Sequence, residues 1–445
     1  MILPDAGEDG LHRRLWSDGR VTDGLFSSLD ALLPGLEELY IDLHRHPELS
    51  FAETRTAAKL AERLTTAGYQ VHTGVGGTGV LGVLRNGPGP TVLLRADIDA
   101  LPVEEKTGLD YASTVRTTGQ DGREVPVMHA CGHDMHATWL SGAAALLAAH
   151  RDTWSGTLLV AFQPAEEVGA GAAAMVRGGV LELGGRPDVV LGQHLAPGPA
   201  GWVLTRPGVL MAATDALRVT LHGRGGHASR PESTVDPAVL AASVVLRLQS
   251  VVAREVSATE SAVVTVGSVH VGTTHNVIAD HATLEINIRT FDEQVRTRVL
   301  AAVERIVRGE AAVAGSPQPP DFESLGVFPV TANDEDANAK LTDAFRGHFG
   351  AERTMEAPLV TGSEDFSEYG RAAGAPSVFW LVGGMDPETV LAAVAAGRFE
   401  QDVPSNHSPL FAPVLHPTLR TGVETLVVGA VNFLGVPRVS GEPGQ

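Results

Sequence analysis

The stretch TVLLRAD (Thr91–Asp97) runs apolar and β-prone and then stops on a carboxylate. It has counterparts. GTLLVAFQ (156–163), DVVLGQH (188–194) and PSVFWLVGG (376–384) share its uninterrupted apolar character. Between them lie segments with helical spacing, MHATWLSGAAALLAAH (135–150) and AGAAAMVRGGVLEL (170–183); TRTAAKLAERLTTAG (54–68) is another, ending at the C-cap candidate Gly68. Continuously apolar strands alternating with helices predict an α/β fold whose mostly parallel sheet is covered on both faces.

The middle of the chain follows a different rule. ALRVTLHGR (216–224), AVVTVGSVHVG (262–272) and HATLEINIRTF (281–291) alternate as half-exposed strands do. VDPAVLAASVVLRLQSVVAR (235–254) and EQVRTRVLAAVERIVRGEAAV (293–313) have helical periodicity. With a final strand expected near 320–327, the order β-α-β-β-α-β predicts a ferredoxin-like α+β unit inserted over 213–327. The catalytic domain is then 31–212 together with 328–445, and 1–30 is an N-terminal extension with little periodicity.

Composition narrows the function classes. The 445 residues carry 33 basic and 53 acidic side chains, a net charge of −20, and no basic run, which excludes a nucleic-acid partner. A single cysteine in the chain cannot form an internal disulfide and fits a reducing compartment. The acidic opening MILPDAGEDG does not resemble a secretion signal, and the most apolar runs are expected to fall short of the roughly 20 residues a membrane span needs. The expectation is a cytoplasmic protein with no membrane partner. GVGGTG (74–79) fits a dinucleotide fingerprint, with Asp97 and Asp99 at a suitable distance. It is followed by the short strand VLGVLRNG rather than by a helix, so it reads as a hairpin.

The chemistry gathers at the ends of the apolar strands. Asp97, the pair Glu166 and Glu167, and His194 are each expected just beyond the carboxyl end of a buried strand, where groups from separate strands converge in open α/β sheets. In MHACGHDMHATWL (128–140), Gly132 breaks the run before a helix that starts near His133–Asp134, so Cys131 and His133 lie on a turn that can aim both at one point. Thiolate and imidazole suit zinc and its divalent neighbours. His129 and His136 read as supporting residues, and Asp134 as a possible helix cap. Two adjacent carboxylates beside a metal can divide the work, one ligating and the other abstracting a proton. His407 in NHSPLF and the glycine-flanked His227 in GRGGHASRP are weaker signals. No G-x-S-x-G or H-E-x-x-H is present, which disfavours a serine hydrolase and a zincin.

Eight motifs then occur in order: DLHRHPELSF, RADIDALPVEE, MHACGHDMH, FQPAEE, GRGGHASRP, THNVIAD, SEDF and NHSPLF. From about residue 36 to 425 the chain resembles the M20 metallopeptidases, in particular the amidohydrolase branch of hippurate and auxin-conjugate hydrolases. The resemblance implies a zinc-exopeptidase-like catalytic domain, with the insert serving as lid and dimerisation domain. It implies two divalent ions per subunit (zinc, manganese, cobalt or nickel) held by Cys131, His133, Glu167, His194 and His407, with Glu166 as general base. Asp97 becomes a carboxylate just outside the ligands, since Arg95 stands where many members carry a histidine. His227 is expected to reach the active site of a partner subunit and to steady the oxyanion. Asn276 and Arg289 are expected to contact substrate, Arg289 as a carboxylate fork. The implied reaction is hydrolysis of N-acyl amino acids by a homodimer. The alternatives are a dipeptidase, an N-carbamoyl hydrolase, a non-catalytic conjugate-binding protein, or an enzyme using Cys131 as nucleophile. Thr361 before GSEDF and FAPVLHP after the last motif depart from the common pattern, which leaves the acyl and side-chain pockets open.

Overall fold

The computed structural model describes residues 20–119 and 122–437. Its contacts divide the chain into a first unit of Met1–Gly208, Ala332–Pro358 and Phe366–Gln445 and a second of Val209–Thr331 and Leu359–Asp365. The second unit therefore begins and ends a few residues outside the expected insert and takes in a short return segment carrying Thr361, which no periodicity marked.

In the first unit the strands are β1 (Gln70–Val75), β2 (Gly79–Asn86), β3 (Thr91–Asp97), β4 (Gly156–Gln163), β5 (Val189–Pro199), β6 (Val203–Thr205), β7 (Thr354–Glu356) and β8 (Ser377–Met385). They form one sheet in the order β1-β2-β4-β3-β5-β8-β6-β7. Its centre, β4-β3-β5-β8, is parallel, as continuous burial on both faces requires. The GVGGTG glycines sit at the antiparallel β1–β2 turn, a hairpin as expected. Helices α1 (Leu29–Arg45), α2 (Thr54–Thr66), α3 (His133–Ala149) and α4 (Leu415–Phe433) pack with the sheet in the main core. Helices α3 and α4 approach so closely that a Cβ on Gly422 would lie 2.1 Å from the Trp139 ring. The core also reaches into the expected extension: helix Arg20–Ser27 buries Leu25, and Leu29 is buried at the start of α1. Residues 1–19 of that extension lie outside the described residues.

One placement differs from expectation. His194 lies inside β5, which runs on to Pro199, rather than beyond its end. The sheet itself explains why the site still forms there. Strand β3 pairs with β5 only as far as Arg95↔Gly192, while β8 follows β5 onward through Leu381↔His194. Residues after Gly192 thus overhang β3 on one side. The strand after β3 in sequence lies on one side of it and the next on the other, the arrangement that opens a crevice at strand carboxyl ends.

The second unit is a four-stranded antiparallel sheet: Ala262–Val271, His281–Thr290, Ala213–His222 and Asp321–Phe328, in that order. Helices Pro237–Glu255 and Glu293–Val313 cover it through Leu240, Val244, Leu248, Val299, Val303 and Val307. This is the ferredoxin-like order. Helix Pro237–Glu255, at 19 residues, is long and apolar enough by composition to cross a membrane, contrary to the expectation that no segment approaches that length. Its buried stripe of Leu240, Val244, Leu248 and Val251 is instead accounted for by the sheet beneath it.

Candidate metal centre

Strand β3 ends at Asp97, in register with Gln163 at the end of β4. Both Asp97 oxygens are engaged: Arg95 Nη1 donates to one at 2.8 Å, and His136 Nδ1 meets the other at 2.6 Å. His136 Nε2 in turn accepts the Leu195 N–H at 2.7 Å. With both ring nitrogens occupied, His136 ties helix α3 to β3 and β5, the supporting role its position suggested.

Helix α3 starts at His133 because Gly132, at φ 86°, turns the chain in the left-handed region; any Cβ there would also meet Leu195 Cδ2 at 2.6 Å. The turn directs Cys131 and His133 inward. Cys131 Sγ lies 3.4 Å from His194 Nε2. His133 Nε2 lies 3.7 Å from Glu167 Oε1, 3.9 Å from Glu166 Oε2 and 3.6 Å from Asp97 Oδ2. His407, in a left-handed backbone conformation (φ 69°), brings Nε2 to 3.3 Å from Glu167 Oε2. Donor atoms of Cys131, His133 and Glu167 lie within 4.8 Å of one another, as do those of Asp97, His133, His136 and His194. The five residues expected as ligands are therefore brought into one linked cluster.

Two buried donor atoms at this centre, His133 Nε2 and Glu167 Oε1, have no hydrogen-bond partner in the protein. An orphaned imidazole nitrogen facing an orphaned carboxylate oxygen is costly unless something positively charged joins them. Burial pushes the Cys131 thiol well up, and the Glu167 and Glu166 carboxylates push it further. Burial also raises Glu167 to about 8, against the pull of His133. Burial alone would lower His133, yet Asp97, Asp99 and Glu167 together raise it to about 10. The cluster has more acid than its own cations balance. A divalent ion would supply the missing charge and convert thiol to thiolate, so the sulfur, nitrogen and oxygen donors present fit such ions.

Three contributors went unrecognised in the sequence. Asp99, considered only as part of a dinucleotide decoy, faces His133 Nδ1 at 3.3 Å and accepts the N–H groups of Glu166 and Glu167, each at 3.1 Å. Its signal was the two-residue spacing from Asp97, which puts both on one side of an extended chain. Asn406 donates to the carbonyls of Cys131 and Leu195, at 3.2 and 3.1 Å, and so fastens the loop that carries His407. His44 had no local signal. Buried against α3, it meets Asp134 at 2.7 Å and Glu105 at 3.0 Å, so Asp134 faces His44 rather than the donor cluster.

His44 predicts a pH dependence. Burial would lower its pKa, but Asp134 and then Glu105 raise it to about 9, above the unfolded value of about 6.5. Its stabilising contribution is full below pH ~6.5 and is lost as pH rises through about 9, in total about 3 kcal/mol. In urea unfolding, the stability gap between wild type and His44→Gln should narrow by that order between pH 6.5 and 9.5. A constant gap would contradict the linkage.

In the second unit, His227 is exposed on a two-residue ribbon opposite Val277, and its Nδ1 accepts from the Ser229 N–H at 3.1 Å. Ala228 N–H donates to the Asn276 carbonyl, so His227 and Asn276 share that ribbon. Arg289 does not. It lies on the strand His281–Thr290 and donates to Asn287 Oδ1 and to the carbonyl of Thr361.

Residues 93–396 match Peptidase family M20/M25/M40. The chain belongs to this family. It is a metal-dependent hydrolase acting on amides. Among curated proteins, thermostable carboxypeptidase 2 of Saccharolobus solfataricus is 37% identical over 77% of this chain and 84% of its own. The hippurate hydrolase of Campylobacter jejuni is 38% identical over 74% of this chain and 83% of its own. Among solved structures, the YxeP protein of Bacillus subtilis, described as a dinuclear metal binding peptidase from the M20 family, aligns with a TM-score of 0.71 and 30% identity. The alignment covers 91% of this chain and 99% of that one.

Proposed function

We propose that this M20 hydrolase cleaves the amide bond of N-acyl amino acids, releasing a carboxylate and a free amino acid. The observation that carries the reading is the Glu166–Glu167 pair in one acidic cluster, with Oε2 of Glu166 and Oε1 of Glu167 both within 4 Å of His133 Nε2. In this reading Cys131, His133, Glu167, His194 and His407 hold two divalent ions. Such ions, when bound, polarise a carbonyl and lower the pKa of a water. Glu166, only 5% exposed, has its backbone N–H held by Asp99 and is the proposed base: it takes the proton of the attacking water and returns it to the leaving amine. Asp97, saturated by Arg95 and His136, orients the surrounding groups. Arg289, with its planar fork, is the proposed partner of the substrate carboxylate.

The hippurate hydrolase relative supports an acyl amino acid substrate, and the carboxypeptidase relative supports a peptide as the second reading. A panel of acyl-glycine, acyl-aromatic, acyl-glutamate, carbamoyl and dipeptide substrates, run with each metal, decides between them. Turnover confined to dipeptides would overturn the first reading.

A second copy of the chain is the proposed partner. Val239 and Leu246, 65% and 74% exposed seven residues apart on helix Pro237–Glu255, and the edge strand Ala262–Val271, unpaired on one side of its sheet, are features of the kind that interfaces cover. Within such a dimer His227 is proposed to act on its partner's substrate. Mixing inactive Glu166→Gln and His227→Ala proteins should then restore part of the activity, and no recovery would count against action in trans. The single thiol fits a cytoplasmic setting.

A further inference from the structure

The turn that presents Glu166 and Glu167 bonds its own carbonyls, but the amides of Ala165, Glu166 and Glu167 are satisfied from outside it. Ala165, just before them, has φ 51°, a left-handed conformation that costs any residue with a Cβ and is glycine's natural territory. Ala165 is fully buried, so water does not satisfy its amide. Two buried carboxylates do what water cannot. Glu53, fully buried where it precedes helix α2, accepts the Ala165 N–H on Oε1 at 2.9 Å; the same oxygen takes the Phe51 N–H at 2.9 Å, and Oε2 takes the Thr78 hydroxyl. Asp99 accepts the next two amides, those of Glu166 and Glu167, one on each oxygen. Ser50 donates to Asp99 at 2.7 Å, so the segment carrying Glu53 also braces the second carboxylate.

We infer that Glu53 is a positioning residue for the catalytic centre: with Asp99 it clamps three consecutive amides, Ala165 to Glu167, and so holds the left-handed turn that aims both glutamates at the cluster around His133. Glu53 touches neither substrate nor the donor cluster; it acts through the backbone of Ala165. The inference rests on the reading of Glu166 as base and Glu167 as ligand, and it adds a requirement that reading does not contain.

Reach and hydrogen bonding separate this role from packing. Glu53→Asp keeps the charge but withdraws the carboxylate by one methylene, so it should release the Ala165 amide. Glu53→Gln keeps an oxygen for the two amides and presents its NH2 to the Thr78 hydroxyl, which can accept. With metal loaded, Glu53→Asp should speed hydrogen exchange at the Ala165 amide at least about tenfold and lower kcat by up to about 10²-fold, the scale of a misplacement near 1 Å, while KM stays within about threefold. Glu53→Gln should remain within a few-fold of wild type on both measures. The deciding variant adds Ala165→Gly to Glu53→Asp. Glycine adopts the left-handed turn without help, so kcat should recover about five- to thirty-fold, the equivalent of the 1–2 kcal/mol left-handed cost.

Wild-type turnover and amide protection in Glu53→Asp would overturn the clamp. So would a loss of turnover that leaves Ala165 exchange unchanged, or a loss that Ala165→Gly does not diminish. If Glu53→Asp does not fold, Thr78→Val, which removes only the donor to Oε2, should raise Ala165 exchange by a smaller factor, and no rise would overturn the clamp equally. Full activity in Glu166→Gln would instead remove the base assignment and leave the exchange result standing, so the two failures are distinguishable.

Discussion

Glu166→Gln should leave a folded protein with its full complement of metal and a kcat lowered by about 10²–10⁴-fold, the range for loss of a positioned general base. Each part of that expectation has a source. The substitution is isosteric, and the hydrogen bond from the residue's backbone N–H to Asp99 does not involve the side chain. The close sulfur, nitrogen and oxygen donor group is built from Cys131, His133 and Glu167, so metal content by elemental analysis should match wild type. An amide cannot accept the proton of the attacking water, and this defect appears in the transition state rather than in ground-state binding. The loss should therefore fall on kcat and kcat/KM alike, with KM within a few-fold. Unchanged turnover would remove Glu166 from proton transfer. Lost metal would mean that it ligates.

How far this centre could be read from the amino-acid string follows from the range of the forces that build it. Strand periodicity is local, so β3, β4, β5 and β8 and the ferredoxin-like order of the second unit were legible. The turn at Gly132 was legible too, because a glycine between two potential ligands ahead of a helix pattern has one economical explanation. His194 was placed at the right end of the sheet but not within its strand. Whether β5 continues past its neighbour depends on where β3 stops pairing, a property of two segments about a hundred residues apart. The same reason hid the buried polar scaffold. Glu53 meets Ala165 across 112 positions, Asn406 meets Cys131 across 275, and His44 meets Asp134 across 90. Each is an ordinary polar residue in its local context and becomes informative only when the fold supplies its partner. Burial then makes these partners matter, because an unpaired polar group in such surroundings costs about 1–3 kcal/mol.

Stripping the divalent ions with a chelator should abolish turnover and lower the unfolding temperature by several degrees, and restoring zinc, manganese, cobalt or nickel should recover both. The stability effect follows from linkage: an ion that binds only the folded state adds about 2.7 kcal/mol at one hundred times its Kd and about 4 kcal/mol at one thousand. The folded protein offers the ion a site that the unfolded chain lacks, with orphaned His133 Nε2 and Glu167 Oε1 set 3.7 Å apart inside an acidic cluster. The experiment also tests the rival chemistry at the same place. A Cys131 nucleophile would need thiolate at neutral pH, yet burial, reinforced by Glu167 and Glu166, holds the thiol protonated in the absence of metal. On the metal reading, iodoacetamide reacts slowly with Cys131 whether or not ions are present: without them the sulfur is a buried thiol, and with them it is a ligand. Chelated protein that keeps its turnover and then loses it to iodoacetamide would move the chemistry to Cys131 and leave the cluster of histidines and carboxylates without a catalytic purpose.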